Sequence, residues 1–455
     1  MKIASRNNSA RDLALIVLKD VDAAGAYSNI ALNRVLEENR PAGIDRAFAT
    51  ELVYGALRTL NTLDWIVQQH IKQPLQKQTP WIRNILRLGV YQILYMDRVP
   101  PPAAINEAAN QARRFGHPGA VKFVNGVLRN ILRRSGKINF PSLDKDPVGH
   151  ISLKYSHPGW LVERWIAQMG VEETISLCLA NNRPAPNAVR VNTLKTTRED
   201  LMDLLDREGV KAVKTGYSPD GLILEGVRGL RGFPPFEEGL FQVQDESSML
   251  VGHAVSPEPG SLVLDVAGAP GGKTTHLAQM MGDRGTVIAT DIHPHKLKLI
   301  EDNCSRLGIT CVRPVKADAR NLAGDYAGKA DYVLLDAPCS GTGVIRRKPD
   351  SRWRKEPGQL PGITTLQREM LESVSRCLKP GGVLVYSTCS VLPEENDEQV
   401  ERFLGEHPDF RGEDLGNYLP KGLGEKEDLA RGFVQLYPHR HGTDGFFIAR
   451  MVKNV

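Results

Sequence analysis

From residue 261 onward, five apolar runs, SLVLDV, GTVIATDI, CVRPVKAD, ADYVLLDAP and GGVLVYSTC, alternate with segments of helical periodicity. Runs this short, rich in Val, Ile and Leu, read as strands rather than buried helices. VQLYP and GFFIARMV follow, separated by the turn-rich HRHGTDG, and bring the total to seven. Strand and helix in alternation build a doubly wound, mostly parallel α/β sheet, whose ligands lie beyond the carboxyl ends of the strands where the strand order reverses. In the usual order the fourth of these strands lies beside the first and the fifth beside the fourth, about 4.8 Å apart.

The chain ahead of this sheet is different in kind. Residues 9–135 carry a helical pattern: Leu13, Ile16 and Val17 share a face after a Ser9 cap, and Ile82, Ile85, Leu86, Gly89 and Ile93 repeat the spacing. RVPPPAAIN interrupts it, and two more amphipathic helices end in VNGVLRNILRRSGK. Residues 1–140 are therefore expected to form an all-α region of six to eight helices. Arg113, Arg114, Arg129, Arg133, Arg134 and Lys137 gather towards its end, which suits contacts with phosphates. Residues 141–240 read as a connector, helical at first and then strand, helix, strand through AVRVNTLK, TREDLMDLLDREG and AVKTGYSPDGLILEG. Residues 241–455 make up the third region.

Composition narrows the partners. The 455 residues hold 58 Lys and Arg against 53 Asp and Glu, so an anionic partner is favoured only where basic residues cluster. No apolar run is long enough for a signal peptide or a membrane span. The six cysteines form no CxxC pair and no zinc spacing, so reduced thiols, a cytoplasmic location and no metal centre are expected.

The chemistry collects at the strand ends. LDVAGAPGGKTT, residues 264–275, has the Gly272-Lys273-Thr274 half of a phosphate loop. However, Ala267 stands where that pattern needs its first glycine, and Pro270 has no N–H for a phosphate oxygen. Asp291 closes the second strand, where a carboxylate can accept from both hydroxyls of a ribose. Asp318 follows the third strand, where it can face the same ligand; the alternative for it is a helix N-cap. The stretches 331-DYVLLDAPCSGTG-343 and 384-LVYSTCSVLPEEN-396 each deliver a cysteine just past a strand end. Cys339 and Cys389 should face one pocket beside Asp336, an arrangement suited to covalent attack on an electron-poor ring. The other four cysteines lie in helical or strand patterns and read as structural.

Three segments carry a family resemblance: Asp265-Val266-Ala267-Gly268-Ala269-Pro270-Gly271-Gly272-Lys273-Thr274, Asp336-Ala337-Pro338-Cys339-Ser340-Gly341 and Ser387-Thr388-Cys389-Ser390. They resemble the signature motifs of the RNA 5-methylcytosine methyltransferases. FQVQDESSML at 241–250 resembles the segment that opens their catalytic domain, and the helical region resembles the NusB fold. The combination is similar to the Fmu/Sun branch of that family. It implies a Rossmann-like seven-stranded S-adenosylmethionine-dependent methyltransferase domain at 241–455, preceded by an all-α NusB-like RNA-binding domain at 1–140 and a small α/β connector. It implies methylation of carbon 5 of a cytosine in RNA, small-subunit (16S) ribosomal RNA, by a monomer. S-adenosylmethionine would be held by Ala267, Gly268, Ala269, Pro270, Gly271, Gly272, Lys273, Asp291, Asp318 and Asp336.

Spacing leaves open which thiol attacks. The resemblance assigns Cys389 as nucleophile, Cys339 to product release and Asp336 to a proton near ring nitrogen 3. One departure stands out, because the family's usual Cys-Ala-Ala-Pro-Gly-Gly-Lys begins here with Ala267. The stretch 346-RRKPDSRWRK-355 sets six basic residues around a tryptophan, so Arg346, Arg347, Lys348 and Trp353, with Arg129 and Arg133, are the expected RNA contacts. The rival readings are a non-catalytic RNA-binding adaptor, an ATPase using the glycine loop, and methylation of a tRNA cytosine. An exocyclic-amine methyltransferase needs an aromatic residue where Asp-Ala-Pro-Cys places a thiol.

Overall fold

In the computed structural model, which describes residues 8–227, 229–230 and 232–455, Ser9 caps the first helix reciprocally with Asp12. The chain divides into two compact units, one of residues up to 183 together with 345–355, the other of 184–344 with 356–455.

The first unit is helical: α1 (Ala10–Ala24), α2 (Ser28–Asn39), α3 (Gly43–Arg58), α4 (Leu60–Gln68), α5 (Pro80–Tyr95), α6 (Pro101–Phe115), α7 (Pro118–Arg134), α8 (Pro147–Lys154) and α9 (Gly159–Asn181). Of the periodic residues read from the sequence, Leu13, Val17, Ile82, Ile85 and Leu86 are buried in its core and Ile16 and Ile93 pack against it, joined by Leu52, Leu63 and Leu128. A Cβ on Gly89 would lie 2.6 Å from Leu128 Cδ1, so the missing side chain lets α5 and α7 approach. The helical unit therefore runs past residue 140 and takes in α8 and α9, which the sequence pattern had grouped with the connector.

The segment 345–355 is the larger surprise in this unit. The guanidinium of Arg352 is fully buried and donates to the carbonyls of Arg58, Ser156 and Asn181 and to Asn182 Oδ1. Trp353 gives its ring N–H to the Leu57 carbonyl at 3.0 Å, and Arg354 bonds the carbonyls of Gly25 and Ala26. Asp350 accepts from the backbone and hydroxyl of Ser28 at 3.3 and 2.5 Å. Leu57 and Arg58 end α3, Asn181 ends α9, and Gly25 and Ala26 follow α1, where the last carbonyls have no partner within the helix. A cation there also opposes the negative end of each helix dipole.

The second unit opens with a small antiparallel sheet of order β2-β3-β1-β4, formed by β1 (Ala188–Val191), β2 (Lys211–Lys214), β3 (Gly221–Glu225) and β4 (Phe241–Val243), with α10 (Arg198–Arg207) and α11 (Pro234–Glu237) between them. AVKTGYSPDGLILEG thus makes two strands where one was read, because the turn at 215–220 folds it into a hairpin. FQV at 241–243 pairs with β1 rather than opening the larger sheet.

That larger sheet contains β5 (Leu262–Val266), β6 (Thr286–Asp291), β7 (Val312–Lys316), β8 (Ala330–Asp336), β9 (Leu378–Thr388), β10 (Phe410–Gly412), β11 (Phe433–Leu436) and β12 (Phe446–Lys453). Its order is β10-β12-β9-β8-β5-β6-β7, with β11 also on β12. The pairs from β9 through β7 are parallel and β12 returns antiparallel. The sheet has eight strands rather than seven, because the three-residue β10 is too short to show a period in sequence. The helix α12 (Glu246–Val255) precedes β5, and α13 (Gly272–Met280), α14 (Pro294–Leu307), α15 (Ala323–Tyr326), α16 (Leu360–Ser375) and α17 (Asp397–Glu406) lie between these strands in sequence. The order reverses at β5, whose neighbours are β6 and β8, and that reversal puts the carboxyl ends of β5, β8 and β9 side by side. No helix among the described residues is long and apolar enough to cross a membrane.

Candidate active site

Strand register places the two cysteines. Asp336 pairs with Ser387 across β8 and β9, so Cys339 and Cys389 both emerge from adjacent parallel strands within a few residues of the same level. Their sulfurs are 3.3 Å apart, and both side chains are half-buried. The Cys339 thiol is held well above its ordinary range, first by its hydrogen bond to Cys389, then by burial and by the charges of Cys389 and Glu395. The other four cysteines are buried, as their strand and helix patterns implied, and none joins this pocket.

Asp336 stands beside the thiols. Its Oδ2 is 2.7 Å from Lys273 Nζ and its Oδ1 accepts from Ser387 Oγ at 2.9 Å. Lys273, the residue that suggested a phosphate loop, is thus an ion-pair partner of Asp336, and its ammonium also lies 4.8 Å from the centre of the Phe446 ring.

The glycine loop closes tightly after β5. Ala267 adopts left-handed backbone (φ 58°), and a Cβ on Gly268 would meet Asp265 Oδ2 at 2.6 Å. Asp265 is fully buried, accepts from Thr274 Oγ1, and has its carboxyl pushed up to about 7 by that burial. Its Oδ1 is buried without a hydrogen-bond partner among the described residues. Arg190, fully buried on β1, braces the loop from behind by donating to the Gly272 carbonyl at 2.7 Å, to Thr275 Oγ1 at 2.9 Å and to the side chains of Gln279 and Gln244. The sequence signal for Arg190 was a charge at the centre of the apolar run AVRV, which a buried strand tolerates only if the charge is fully bonded. Asp220, the carboxylate acting on that guanidinium, also lies 3.3 Å from His253 Nε2 and 3.5 Å from His276 Nε2, a grouping that no sequence spacing announced.

Ahead of the loop, Ala267, Asp291, Asp318, Pro338, Leu366 and Met370 line part of a cavity of about 520 Å³. Asp291 is buried, accepts from the His293 backbone at 2.9 Å and has Lys296 Nζ 3.6 Å away. Asp318 does cap the following turn, accepting from the Arg320 backbone, and its carboxyl is held below the usual range by the Arg320 side chain, yet it still reaches the cavity wall. The shortened side chain at Ala267 forms part of the same wall.

A residue missed in the sequence ties this site together. Glu395 is fully buried and its carboxylate accepts from the Ser340 backbone at 2.7 Å, from the hydroxyls of Ser340 and Ser390 at 2.5 Å each, and from Gln367 Nε2 at 3.3 Å. Asn396 beside it accepts from Thr388 Oγ1 and donates to the Ser390 carbonyl. The signal was present as PEEN at 393–396, seven residues or fewer beyond Cys389.

The remaining expected contacts are placed differently. Arg129 and Arg133 are exposed on α7 one turn apart, as is Arg134, whereas Arg114 is paired with Asp12 at 2.7 Å. Arg346 is buried and Trp353 is half-buried with its N–H engaged inside the helical unit, while Lys348 is exposed. Within the 346–355 stretch, Arg352, Trp353 and Arg354 therefore serve helix-end carbonyls rather than forming the solvated, base-stacking part that the composition suggested.

Comparison with known proteins gives a consistent picture. Residues 253–452 match the family model described as 16S rRNA methyltransferase RsmB/F, residues 8–133 match the NusB family, and residues 157–230 match a RsmF/B-like ferredoxin-like domain. A probable ribosomal RNA small subunit methyltransferase B of Bacillus subtilis (strain 168) is 40% identical over 452 residues, covering 98% of this chain and 99% of its own. Ribosomal RNA small subunit methyltransferase B of Serratia proteamaculans (strain 568) is 34% identical with the same coverage. Among solved structures, PH0851 superposes with a TM-score of 0.81 at 30% identity, covering 98% of this chain and 99% of that one. NSun6 from Pyrococcus horikoshii with SFG has a TM-score of 0.59 at 27% identity and covers 65% of this chain and 98% of its own.

Proposed function

Because the chain belongs to the RsmB/F family of S-adenosylmethionine-dependent ribosomal RNA methyltransferases, we propose that it methylates carbon 5 of a cytosine in 16S ribosomal RNA through a covalent bond to Cys389. The observation that carries this reading is the 3.3 Å approach of two thiols beside the Lys273–Asp336 pair. A methyltransferase acting on a nucleophilic oxygen or nitrogen has no need of a thiol; carbon 5 of cytosine is a poor nucleophile and needs one to add at carbon 6, with a second group to take the carbon 5 proton.

S-adenosylmethionine, when bound, supplies a methyl group on a positively charged sulfur. The loop from Ala267 to Lys273, the buried Asp291 and Asp318 would hold it, and the cavity that Ala267, Asp291 and Asp318 line with Leu366 and Met370 offers both carboxylates and an apolar wall to a nucleoside. The unpartnered Oδ1 of Asp265 beneath the loop is a further acceptor of the kind a bound polar group satisfies.

The chain's own residues activate the base. Cys389, as thiolate, forms a bond to carbon 6, and the displaced π pair enriches carbon 5. Asp336, oriented by Lys273 and Ser387, donates a proton to ring nitrogen 3 as negative charge develops on the ring, and takes it back as carbon 5 attacks the methyl group. Once carbon 5 carries the methyl group, Cys339 takes its proton. The C–H pair restores the ring double bond, and the sulfur–carbon pair returns to Cys389. A stacked base cannot be approached from both faces, so the target is unpaired or flipped out. Arg129 and Arg133 are proposed to contact RNA phosphates.

Incubation of the full chain with 16S ribosomal RNA and S-adenosylmethionine tests the assignment. Cys339→Ala should accumulate a covalent protein–RNA adduct, visible as a retarded band in denaturing gels, and Cys389→Ala should not. The opposite pattern exchanges the two roles; no adduct from either, with methyl groups found elsewhere than carbon 5, overturns the chemistry.

A further inference from the structure

We propose that Glu395 is the positioning residue of the thiol pair: its buried carboxylate locks the Cys339 turn to the Cys389 turn and, by its charge, assigns the proton the pair shares to Cys339. The inference rests on Cys389 being the nucleophile.

Geometry carries the first half. Ser340 follows Cys339 and gives both its backbone N–H and its hydroxyl to Glu395, while Ser390 follows Cys389 and gives its hydroxyl to the same carboxylate. The two serine hydroxyls are also 3.2 Å apart, and Thr342 Oγ1 lies 3.0 Å from Ser390 Oγ. Gln367 on α16 donates to Glu395 and to the Pro338 carbonyl, closing the network from the other side. With four donors around it, Glu395 has the partners of an ionised carboxylate, which has only acceptors to offer. A short, fully bonded bridge of this kind is what can hold two loop sulfurs 3.3 Å apart, since neither turn is itself part of the sheet.

Charge carries the second half. The groups that face Cys339 are Cys389, Glu395 and the Tyr386 hydroxyl, with the Asp336–Lys273 pair at the strand end; the Gly341 backbone N–H also reaches the sulfur and acts the other way, by less than the rest together. Tyr386 donates to the Glu395 backbone carbonyl at 2.7 Å, so its ring is part of the same bridge. A negative carboxylate behind the Cys339 turn disfavours a second negative charge on that sulfur. Cys339 therefore keeps its proton and donates it in a hydrogen bond to the Cys389 thiolate. When Cys389 bonds to carbon 6, its charge is consumed and the hydrogen bond to it is lost. The Cys339 proton then passes to water. The resulting Cys339 thiolate, its basicity sustained by Glu395, receives the carbon 5 proton, and the pair returns to its starting state with one proton released per methyl group transferred.

The thiols can be titrated without RNA or cofactor, which separates this inference from the proposed reaction. In the full chain, alkylation of Cys339 and Cys389 by iodoacetamide is followed against pH by peptide mass spectrometry. In the native protein Cys389 should react about tenfold or more faster than Cys339 at pH 8. In Glu395→Gln the Cys339 midpoint should fall by about one pH unit, a tenfold change in its thiolate fraction, and the preference should shrink to about threefold or less. Ser340→Ala and Ser390→Ala each delete one donor and keep the charge, so they should narrow the preference less, and they carry the test if Glu395→Gln does not fold. With RNA present, single-turnover methyl transfer by Glu395→Gln should drop at least about tenfold while RNA affinity holds. Unchanged alkylation midpoints and preference in the folded variants overturn the proposal. A Glu395-dependent preference in a protein that fails to methylate carbon 5 leaves it standing and removes the proposed reaction instead.

Discussion

The Cys339 turn and the segment 345–355 are consecutive in the chain, both polar and both rich in functional groups, yet they are placed by different physics. The turn leaves β8 at a level set by parallel pairing with β9, and Cys389 leaves β9 at nearly the same level, so the thiols meet. The segment that follows has no strand to set its course. It lies among the helices, where Arg352, Trp353 and Arg354 bond carbonyls at or just beyond the ends of α1, α3 and α9. A guanidinium satisfies a phosphate or a cluster of carbonyls with the same five donors, so a basic stretch with a tryptophan does not distinguish the two. What distinguishes them is whether orphan carbonyls are near, and only the folded chain contains that information.

The contrast can be broken most forcefully at Arg352. Replacing it with methionine keeps volume but leaves buried carbonyls unpaired, and should lower the stability of the helical unit by about 3 kcal/mol in denaturant titrations. A loss of less than about 1 kcal/mol would mean the segment is not a structural cap.

Asp265 probes the other region, where burial at a strand end disfavours the charge of its carboxyl. Its carboxyl titrates near about 7 in the fold and near 3.8 when exposed, so between those values the unfolded chain holds fewer protons. Stability should therefore fall as pH rises through that window. Asp265→Asn, whose amide oxygen can still accept from Thr274, should exceed the native protein by about 2 to 4 kcal/mol at pH 8 and by little at pH 4. A pH-independent difference would show that burial of this charge is relieved in some other way.

The smallest effects sharpen the contrast within the basic residues. Trp353→Phe loses one hydrogen bond and should cost about 1 kcal/mol of stability with no change in the salt dependence of RNA binding. Arg129→Ala and Arg133→Ala should leave stability alone and each reduce the slope of log affinity against log salt by about 1. If Trp353→Phe flattened that slope and the arginine variants did not, the two groups would exchange roles.

Much of the catalytic unit was legible because period-2 and apolar runs are local properties. The five parallel strands and the reversal at β5 followed from strand–helix alternation, and with them the juxtaposition of Cys339, Cys389 and Asp336. Lys273 could be doubted as a phosphate ligand from Ala267 and Pro270, but its partnership with Asp336 needed β5 and β8 to be neighbours in space. The hairpin at 211–225 and the three-residue β10 escaped notice, since a short strand is stabilised by its partner and not by its own composition. Arg190 and Glu395 were passed over for the same reason: a buried charge looks unremarkable in sequence until its donors or acceptors, contributed by residues far along the chain, are counted.

By itself, then, the sequence determined the class of each unit and which strand ends carry thiols and carboxylates, because hydrophobic period and connection length constrain topology; the usual doubly wound order then put the fourth parallel strand beside the first and the fifth beside the fourth. Tertiary structure alone decided that Glu395 joins the two cysteine turns, that Arg190 braces the glycine loop and that a basic segment caps helices. Those outcomes depend on which unsatisfied donors and acceptors come within 3 Å of one another, a distance that no spacing along the chain encodes.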